Sequence, residues 1–203
     1  TGLGGRFDAT NVIKNPICCI LTPISMDHMN FLGNNIEKIS HEKVGILKNN
    51  SLIILSKQEQ SVRRIIRKEV KKKNAILLEE GKDWKVQKKK KSFILNFQNQ
   101  TCEFPLPNLY GDHQIDNAAT AISASLAIKN FDVKEEKIAN AIRNVCWPAR
   151  MQKLNKGKLS KKIGEKFEIW IDGGHNIHAA EMISSIMKNW GDSKVVLILG
   201  MVY

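Results

Sequence analysis

Four clusters of polar residues in this chain have the types and placement to do chemistry, each at the end of an apolar stretch, where open α/β sheets form their ligand crevices. In "GLGGRFDATN" the glycines let the backbone turn sharply and approach a ligand, while Asp8 and Asn11 supply hydrogen-bonding groups. The stretch lacks the GxxxxGK(S/T) order of a phosphate-binding loop, and a plain turn is the competing reading. In "SMDHMNFLG", Asp27 and His28 directly follow an apolar run. An imidazole at the carboxyl end of a strand can coordinate a metal that bridges phosphates; a capping or surface pair is the alternative.

Lys43 in "SHEKVGI" lies seven residues after Ile36 and three before Ile46, on the apolar stripe of a helix, where an ammonium is expensive to bury. Either it snorkels to the rim, or desolvation leaves a neutral amine that combines with carbon dioxide. The carbamate so formed turns a cation into an oxygen ligand for a divalent metal. The fourth cluster is split between "WPARMQ" and "IDGGHN". Arg150 offers a planar fork for phosphate, and Asp172 and His175 sit on a strand-to-helix turn able to hold ribose or phosphate groups. Asn117, near the start of another helix, contributes an amide or only caps that helix.

The elements that must position these groups alternate. "ICCILTPIS" reads as a buried strand, "NNIEKISHEKVGILK" as a helix, "SLIILS" as a strand, "EQSVRRIIRKEVKKKN" as a basic amphipathic helix and "AILLEE" as a strand. "DWKVQ", "SFILNFQ" and "TCEFPL" alternate in the manner of antiparallel hairpins, and "IDNAATAISASLAIKNF" and "KEEKIANAIRNV" read as helices. Near Trp147 and Pro148 the pattern restarts, with "KFEIWIDGGHN" as strand and turn, "IHAAEMISSIMKNW" as helix and "SKVVLILGMVY" as a further strand. This is an α/β chain with a largely parallel sheet. Its opening glycine loop has no strand before it and its second unit stops after strand, helix and strand, so it is expected to be truncated at both ends.

Thirty-two basic against twenty acidic residues give a net charge of +12, which attracts polyanions. The excess sits in "VKKKN" and "QKKKKSF", lysine without interleaved aromatics or arginine, the texture of a solvated surface rather than of a nucleic-acid module. Cys18, Cys19, Cys102 and Cys146 form no CxxC pair and no zinc-finger spacing; Cys18 and Cys19 read as small buried residues of a reduced, cytoplasmic protein. No apolar stretch is long enough to span a bilayer and no secretory signal is present, so no membrane partner is expected.

In order, "GLGGRFDATN", "ISMDHMNFLG", "EKVGILK", "HQIDNAATA", "WPARMQ" and "IDGGHNIHAA" closely resemble the dihydrofolate synthase/folylpolyglutamate synthase family, ATP-dependent ligases related to the Mur ligases. The resemblance implies a Mur-ligase-like α/β fold. Residues 1–147 would form part of the central ATPase domain, mostly parallel sheet with antiparallel hairpins. Residues 148–203 would begin a Rossmann-like C-terminal domain that carries glutamate ligation. It implies that ATP phosphorylates a carboxylate of dihydropteroate or a folyl(poly)glutamate, and that the amine of L-glutamate attacks the acyl phosphate.

Carried over residue by residue, Phe7, Asp8 and Ala9, with Asn11 beside them, match the pterin-contacting segment. His28 matches a Mg2+ ligand, Lys43 the lysine that the family carbamylates to N6-carboxylysine, and Asn117, Arg150 and Asp172 match ATP contacts, with His175 in the same turn. Pro23 stands where serine is usual, Ala149 where glycine is, Gly174 where alanine is and Ile177 where proline is. The implied full-length enzyme is a cytoplasmic monomer that binds no nucleic acid. The family's phosphate-binding loop and a magnesium-ligating glutamate lie upstream of anything present, so this chain alone is expected to be inactive. The alternatives are a decayed or split gene product with residual nucleotide or folate binding, a Mur-type cell-wall ligase, and a basic nucleic-acid-binding protein, which would explain none of the four clusters.

Overall fold

The structure is a computed structural model that describes residues 4–129, 133–164 and 166–200, and of Asn30 the backbone alone. Strand β1 (Cys18–Leu21), helices α1 (Met29–Leu32) and α2 (Ile36–Lys43), strand β2 (Leu52–Leu55), helix α3 (Gln60–Lys72) and strand β3 (Ile76–Glu79) make the first part. β1, β2 and β3 pair in that order, all parallel, with Cys19 opposite Ile53 and Ile53 opposite Leu77.

The central strand is an unbroken apolar run because both of its faces are covered. Ile53 and Leu55 turn to the layer of α2 and α3, and Ile54 turns to the opposite layer. Helix α3 buries Val62, Ile66 and Val70, four residues apart along one stripe, and leaves Arg64, Lys68, Lys71 and Lys72 in solvent. Each such fully buried aliphatic side chain contributes about 1.5–3 kcal/mol. β1 is less covered than expected of a buried strand: it lies at the sheet edge and Ile20 is exposed.

Strands β4 (Trp84–Lys88), β5 (Ser92–Phe97) and β6 (Gln100–Pro105) form the expected antiparallel meander. Trp84, Phe93, Leu95 and Phe104 from its inner face are almost fully buried against helices α4 (His113–Ala127) and α5 (Glu135–Asn144), whose Ala119, Ile122, Ile138 and Ile142 complete that core. The lysine runs are exposed apart from half-buried Lys73, and several are paired, Lys72 to Glu69 at 3.3 Å, Lys88 to Asp116 at 2.9 Å and Lys89 to Glu103 at 3.1 Å. Burial pushes the thiols of half-buried Cys18 and of buried Cys102 up to about 11, which makes both poor nucleophiles. No helix among the described residues is long and apolar enough to cross a membrane.

The remainder departs more from the sequence expectation. The strand read in "KFEIWIDGGHN" is only β8 (Trp170–Ile171), and it pairs antiparallel with β7 (Gln152–Lys153), which periodicity did not mark, as it did not mark helix α6 (Lys158–Ile163). Helix α7 (Ile177–Lys188) follows as expected. The strand expected at "SKVVLILGMVY" does not form over residues 194–200, where Val196 and Ile198 are exposed; residues 201–203 lie outside the described residues. Its composition suits a buried strand, but a strand exists only as part of a ladder, and among the described residues none pairs with it.

Candidate active site

The opening glycine loop is docked on the end of α2; Gly2 and Leu3 of the motif lie outside the described residues. The amides of Gly5 and Arg6 both donate to the carbonyl of Glu42, at 3.0 and 3.1 Å. A Cβ on Gly5 would stand 2.2 Å from the carbonyl oxygen of Lys43, so only glycine permits this approach. Asp8 caps a 3-10 turn over Ala9–Val12, accepting from the hydroxyl of Thr10 at 2.6 Å and its amide at 2.8 Å. The Thr10 hydroxyl, ahead of its amide, holds the Asp8 carboxyl well below the usual carboxylate range. Asn11 donates to the carbonyl of Arg6 at 2.8 Å and accepts from the Lys48 ammonium at 2.6 Å. These groups shape the loop and leave Phe7 and Ala9 facing solvent, with the Phe7 ring 70% exposed under the Arg6 guanidinium.

Lys43 is the last residue of α2 and half-buried, on the stripe that buries Ile39 and Ser40. The expected continuous helix breaks directly after it into a 3-10 turn over Val44–Ile46. Its ammonium makes no hydrogen bond or ion pair among the described residues.

From the end of β1 the chain runs to His28 along a segment splinted by the buried Gln58 side chain, which accepts from the Ile24 amide at 3.0 Å and donates to the Thr22 carbonyl at 2.9 Å. His28 then takes the left-handed conformation (φ 51°, ψ 39°), sparse territory for a side chain with a Cβ. Its carbonyl accepts from the amides of Phe31 and Leu32, both at 2.9 Å. Asp27 Oδ1 accepts from the His28 amide at 2.8 Å, and Asp27 Oδ2 stands 3.8 Å from His28 Nε2. Opposite lies His175, its ring centre 5.8 Å from that of His28. Donor atoms of Asp27, His28 and His175 all fall within 4.8 Å of one another.

His175 is brought there by a turn that Asp172 organises. Asp172 Oδ2 accepts from the Met151 amide at 2.8 Å and Oδ1 from the Gly174 amide at 2.7 Å, while the Gly173 amide donates to the Ala149 carbonyl at 2.9 Å. This clasp ties "WPARMQ" to "IDGGHN" and sets Arg150 beside Gly173, where a Cβ would come within 3.5 Å of Arg150 Nη1. Ala149 and Met151 take left-handed backbone, φ 54° and 41°, a conformation that suits the glycine that the resemblance implies at the first of these positions. Ile177 is the first residue of α7, where proline is favoured but not required, and Asn176 caps the helix by accepting from the Ala179 amide at 2.8 Å. Gly174 packs so that a Cβ would meet that of Ala179 at 2.8 Å.

Asn117 lies inside α4 and does not cap it; its amide donates to Gln114 Oε1 at 3.1 Å, and Gln114 Nε2 is 3.0 Å from His113 Nε2. Burial lowers the His113 pKa against opposing pulls from the Asp172 and Asp116 carboxylates. His113 and Gln114 have no role in the sequence reading, although His113 precedes Asn117 by one helical turn and shares its face. Asp27 was paired there with His28, and only the fold supplies the third donor, His175.

A pocket of about 470 Å³ opens between the approach to α4 and α7, lined by Lys88, Tyr110, His113, Asp116, Met182 and Ile186 among others. It contains none of the residues chosen from sequence. Beside it, Tyr110 packs on Trp170 at 5.0 Å and Trp170 on Trp190 at 5.5 Å between ring centres, joining the parts before and after Trp147.

Residues 5–125 match the Mur ligase middle domain. The chain is 34% identical over 194 residues to a probable dihydrofolate synthetase of Schizosaccharomyces pombe, covering 93% of this chain and 44% of that protein. It is 29% identical over 212 residues to a dihydrofolate synthase/folylpolyglutamate synthase of Bacillus subtilis, covering 98% and 46%. Among solved structures, E. coli FolC in complex with DHPP and ADP superposes with a TM-score of 0.79 at 29% identity, covering 95% of this chain and 43% of that one. The chain thus spans less than half the length of these relatives.

Proposed function

Since the chain belongs to the Mur ligase middle domain family, we propose that it is part of an ATP-dependent ligase that joins L-glutamate to dihydropteroate, to folyl(poly)glutamate, or to both. The observation that carries this reading is the approach of His28 to His175, which joins the parts before and after Trp147, with Asp172 clasping the Arg150 segment from the same turn as His175. The relatives named for folate ligation, and the E. coli FolC complex with DHPP and ADP, support the substrate classes. We assign residues 1–147 to the central domain and 148–203 to the C-terminal domain, in a cytoplasmic, monomeric enzyme.

In the reaction, a carboxylate oxygen of the pteroate takes the γ-phosphoryl group from ATP and ADP leaves. The glutamate nitrogen then forms a bond to the acyl carbon, phosphate departs and the amine loses a proton. Arg150, exposed beside Gly173, is placed to bind phosphate with its planar fork, and Asp172 and Asn117 to orient the nucleoside. Phe7 presents an exposed ring to a flat heteroaromatic, and Ala9 leaves room beside it. His28 and Asp27 offer one nitrogen and one oxygen, which fits Mg2+, an ion that takes few protein ligands and completes its shell with water and phosphate oxygens. When bound it would neutralise charge on the phosphates. Lys43, as a carbamate, would add an oxygen ligand. Its half-buried position without a partner among the described residues is consistent with that modification.

The test is ADP release by the protein carrying this chain, with dihydropteroate or folate as acceptor and L-glutamate as amine. Turnover that requires both and falls at least about a hundredfold in Arg150→Ala, the scale of losing one group that stabilises transition-state charge, supports the reading. Release of ADP with a cell-wall precursor and with neither pteroate acceptor would overturn it.

A further inference from the structure

With His175 added to Asp27 and His28 the donors are two nitrogens and one oxygen, a set that favours a softer ion than Mg2+ when no phosphate oxygens complete the shell. We infer that Asp27, His28 and His175 form a site for Zn2+ or a similar borderline divalent ion in the nucleotide-free protein, one that bridges the turn after β1 and the turn after β8. Two imidazoles and a carboxylate are the donors zinc-class ions select, with the fourth position left to water. Bonds near 2.1 Å put donors of a tetrahedral centre about 3.4 Å apart. Asp27 Oδ2 and His28 Nε2, at 3.8 Å, are too far apart to hydrogen bond and close to that spacing. His175 completes the set within 4.8 Å and is exposed, so an ion reaches the three donors from solvent.

The surroundings prepare all three residues. His175 Nδ1 is 3.0 Å from the carbonyl of Gly173, which accepts the Nδ1 proton and leaves the Nε2 lone pair for the ion, the arrangement usual behind a metal-bound histidine. Asp27 spends Oδ1 on the His28 amide and keeps Oδ2 for the ion. His28 is held in the left-handed region by two hydrogen bonds to its carbonyl, which fixes the Cα–Cβ direction from which its ring projects. Such an ion would pin the two turns together and occupy His28, which the ligase reading needs for magnesium. Zinc would therefore hold the cleft without nucleotide, and a chelator would release it.

The experiment is a Zn2+ titration of the protein against a chromophoric chelator, with Co2+ as spectroscopic substitute, in the absence of ATP, folate and glutamate. It is therefore decided independently of the ligase reading. One equivalent of Zn2+ is expected, unaffected by millimolar Mg2+, with intense Co2+ d–d bands of a four-coordinate site. His175→Ala and Asp27→Asn should each weaken binding about tenfold or more, with far-UV circular dichroism unchanged because both side chains are at the surface of turns. Retention of full affinity in both variants, loss of binding in Cys146→Ser instead, or an octahedral Co2+ spectrum overturns the site.

Discussion

Asp172 is expected to act through the backbone as much as through any ligand, and the two roles can be separated. Its two oxygens each accept one amide, from Met151 at 2.8 Å and from Gly174 at 2.7 Å. A hydrogen bond to a charged acceptor is worth about 1.5–3 kcal/mol, and the half-buried position puts these at the low end. Asp172→Ala should therefore destabilise by about 2–3 kcal/mol. Asp172→Asn keeps one oxygen but turns an NH2 toward the other amide, and should cost roughly half as much. Urea unfolding monitored by circular dichroism gives the totals, with an unchanged slope if only the native state is affected. Amide exchange locates them: where opening is local, about 2–3 kcal/mol is about a 30- to 150-fold faster exchange at Met151 and Gly174. If both variants unfold at the parent midpoint with those amides still protected, the clasp does not hold Ala149–Met151 and the positioning of Arg150 needs another cause.

Ala149→Gly should stabilise the protein by about 0.5–1 kcal/mol, the relief of a left-handed alanine less the extra backbone entropy of glycine; a lowered melting temperature would contradict the strain. Gly5→Ala drives a methyl into the Lys43 carbonyl and should cost about 1–3 kcal/mol in denaturant unfolding, with pteroate binding weakened in parallel. Phe7→Ala should leave stability within about 0.5 kcal/mol, because the ring is exposed, and raise the pteroate KM roughly tenfold, the worth of a stacked heteroaromatic ring. Burial lowers the pKa of His113, so below its unfolded value of about 6.5 the unfolded chain binds the extra proton. Stability present above that pH is lost as pH falls, and His113→Gln should flatten the fall in midpoint between about pH 7.5 and 5.

What was legible in the sequence followed the periodicity. β2, α3, β3 and the β4–β6 meander were marked by runs and alternations that tertiary packing satisfied where they stood. "SKVVLILG" was equally apolar and forms no strand over the described residues, because composition states a preference while a ladder needs a neighbour. Lys43 was singled out by its place on an apolar stripe and is half-buried there. Asp8 and Asn11 were read as hydrogen-bonding groups of the loop, and in the structure Asp8 accepts from Thr10 while Asn11 donates to Arg6 and accepts from Lys48. Short polar side chains in a glycine loop serve their own backbone first, a competition that one-dimensional spacing does not display. His28 and His175 were expected with Lys43 in one catalytic site, while the direct approach of the two imidazoles was beyond spacing alone, because it depends on how two units pack.

Two of the clusters share one device, backbone held away from its preferred basins, which elsewhere occurs at Asn50, Asn74 and Gln98. His28, Ala149 and Met151 adopt positive φ without being glycine, and each lies in or beside a candidate site segment. A left-handed residue costs about 1–2 kcal/mol, so it persists only where neighbouring contacts over-determine it. Those contacts are present: two bonds to the carbonyl of His28, and the Asp172 clasp around Ala149 and Met151. Side chains on relaxed turns would sample many directions, and the strain instead narrows the directions available to the imidazole and to the guanidinium segment. The same economy predicts where the protein tolerates change. Substitutions that relieve strain at Ala149 gain stability while loosening Arg150, so a more stable Ala149→Gly protein with weaker nucleotide binding would be the signature of strain used for aim.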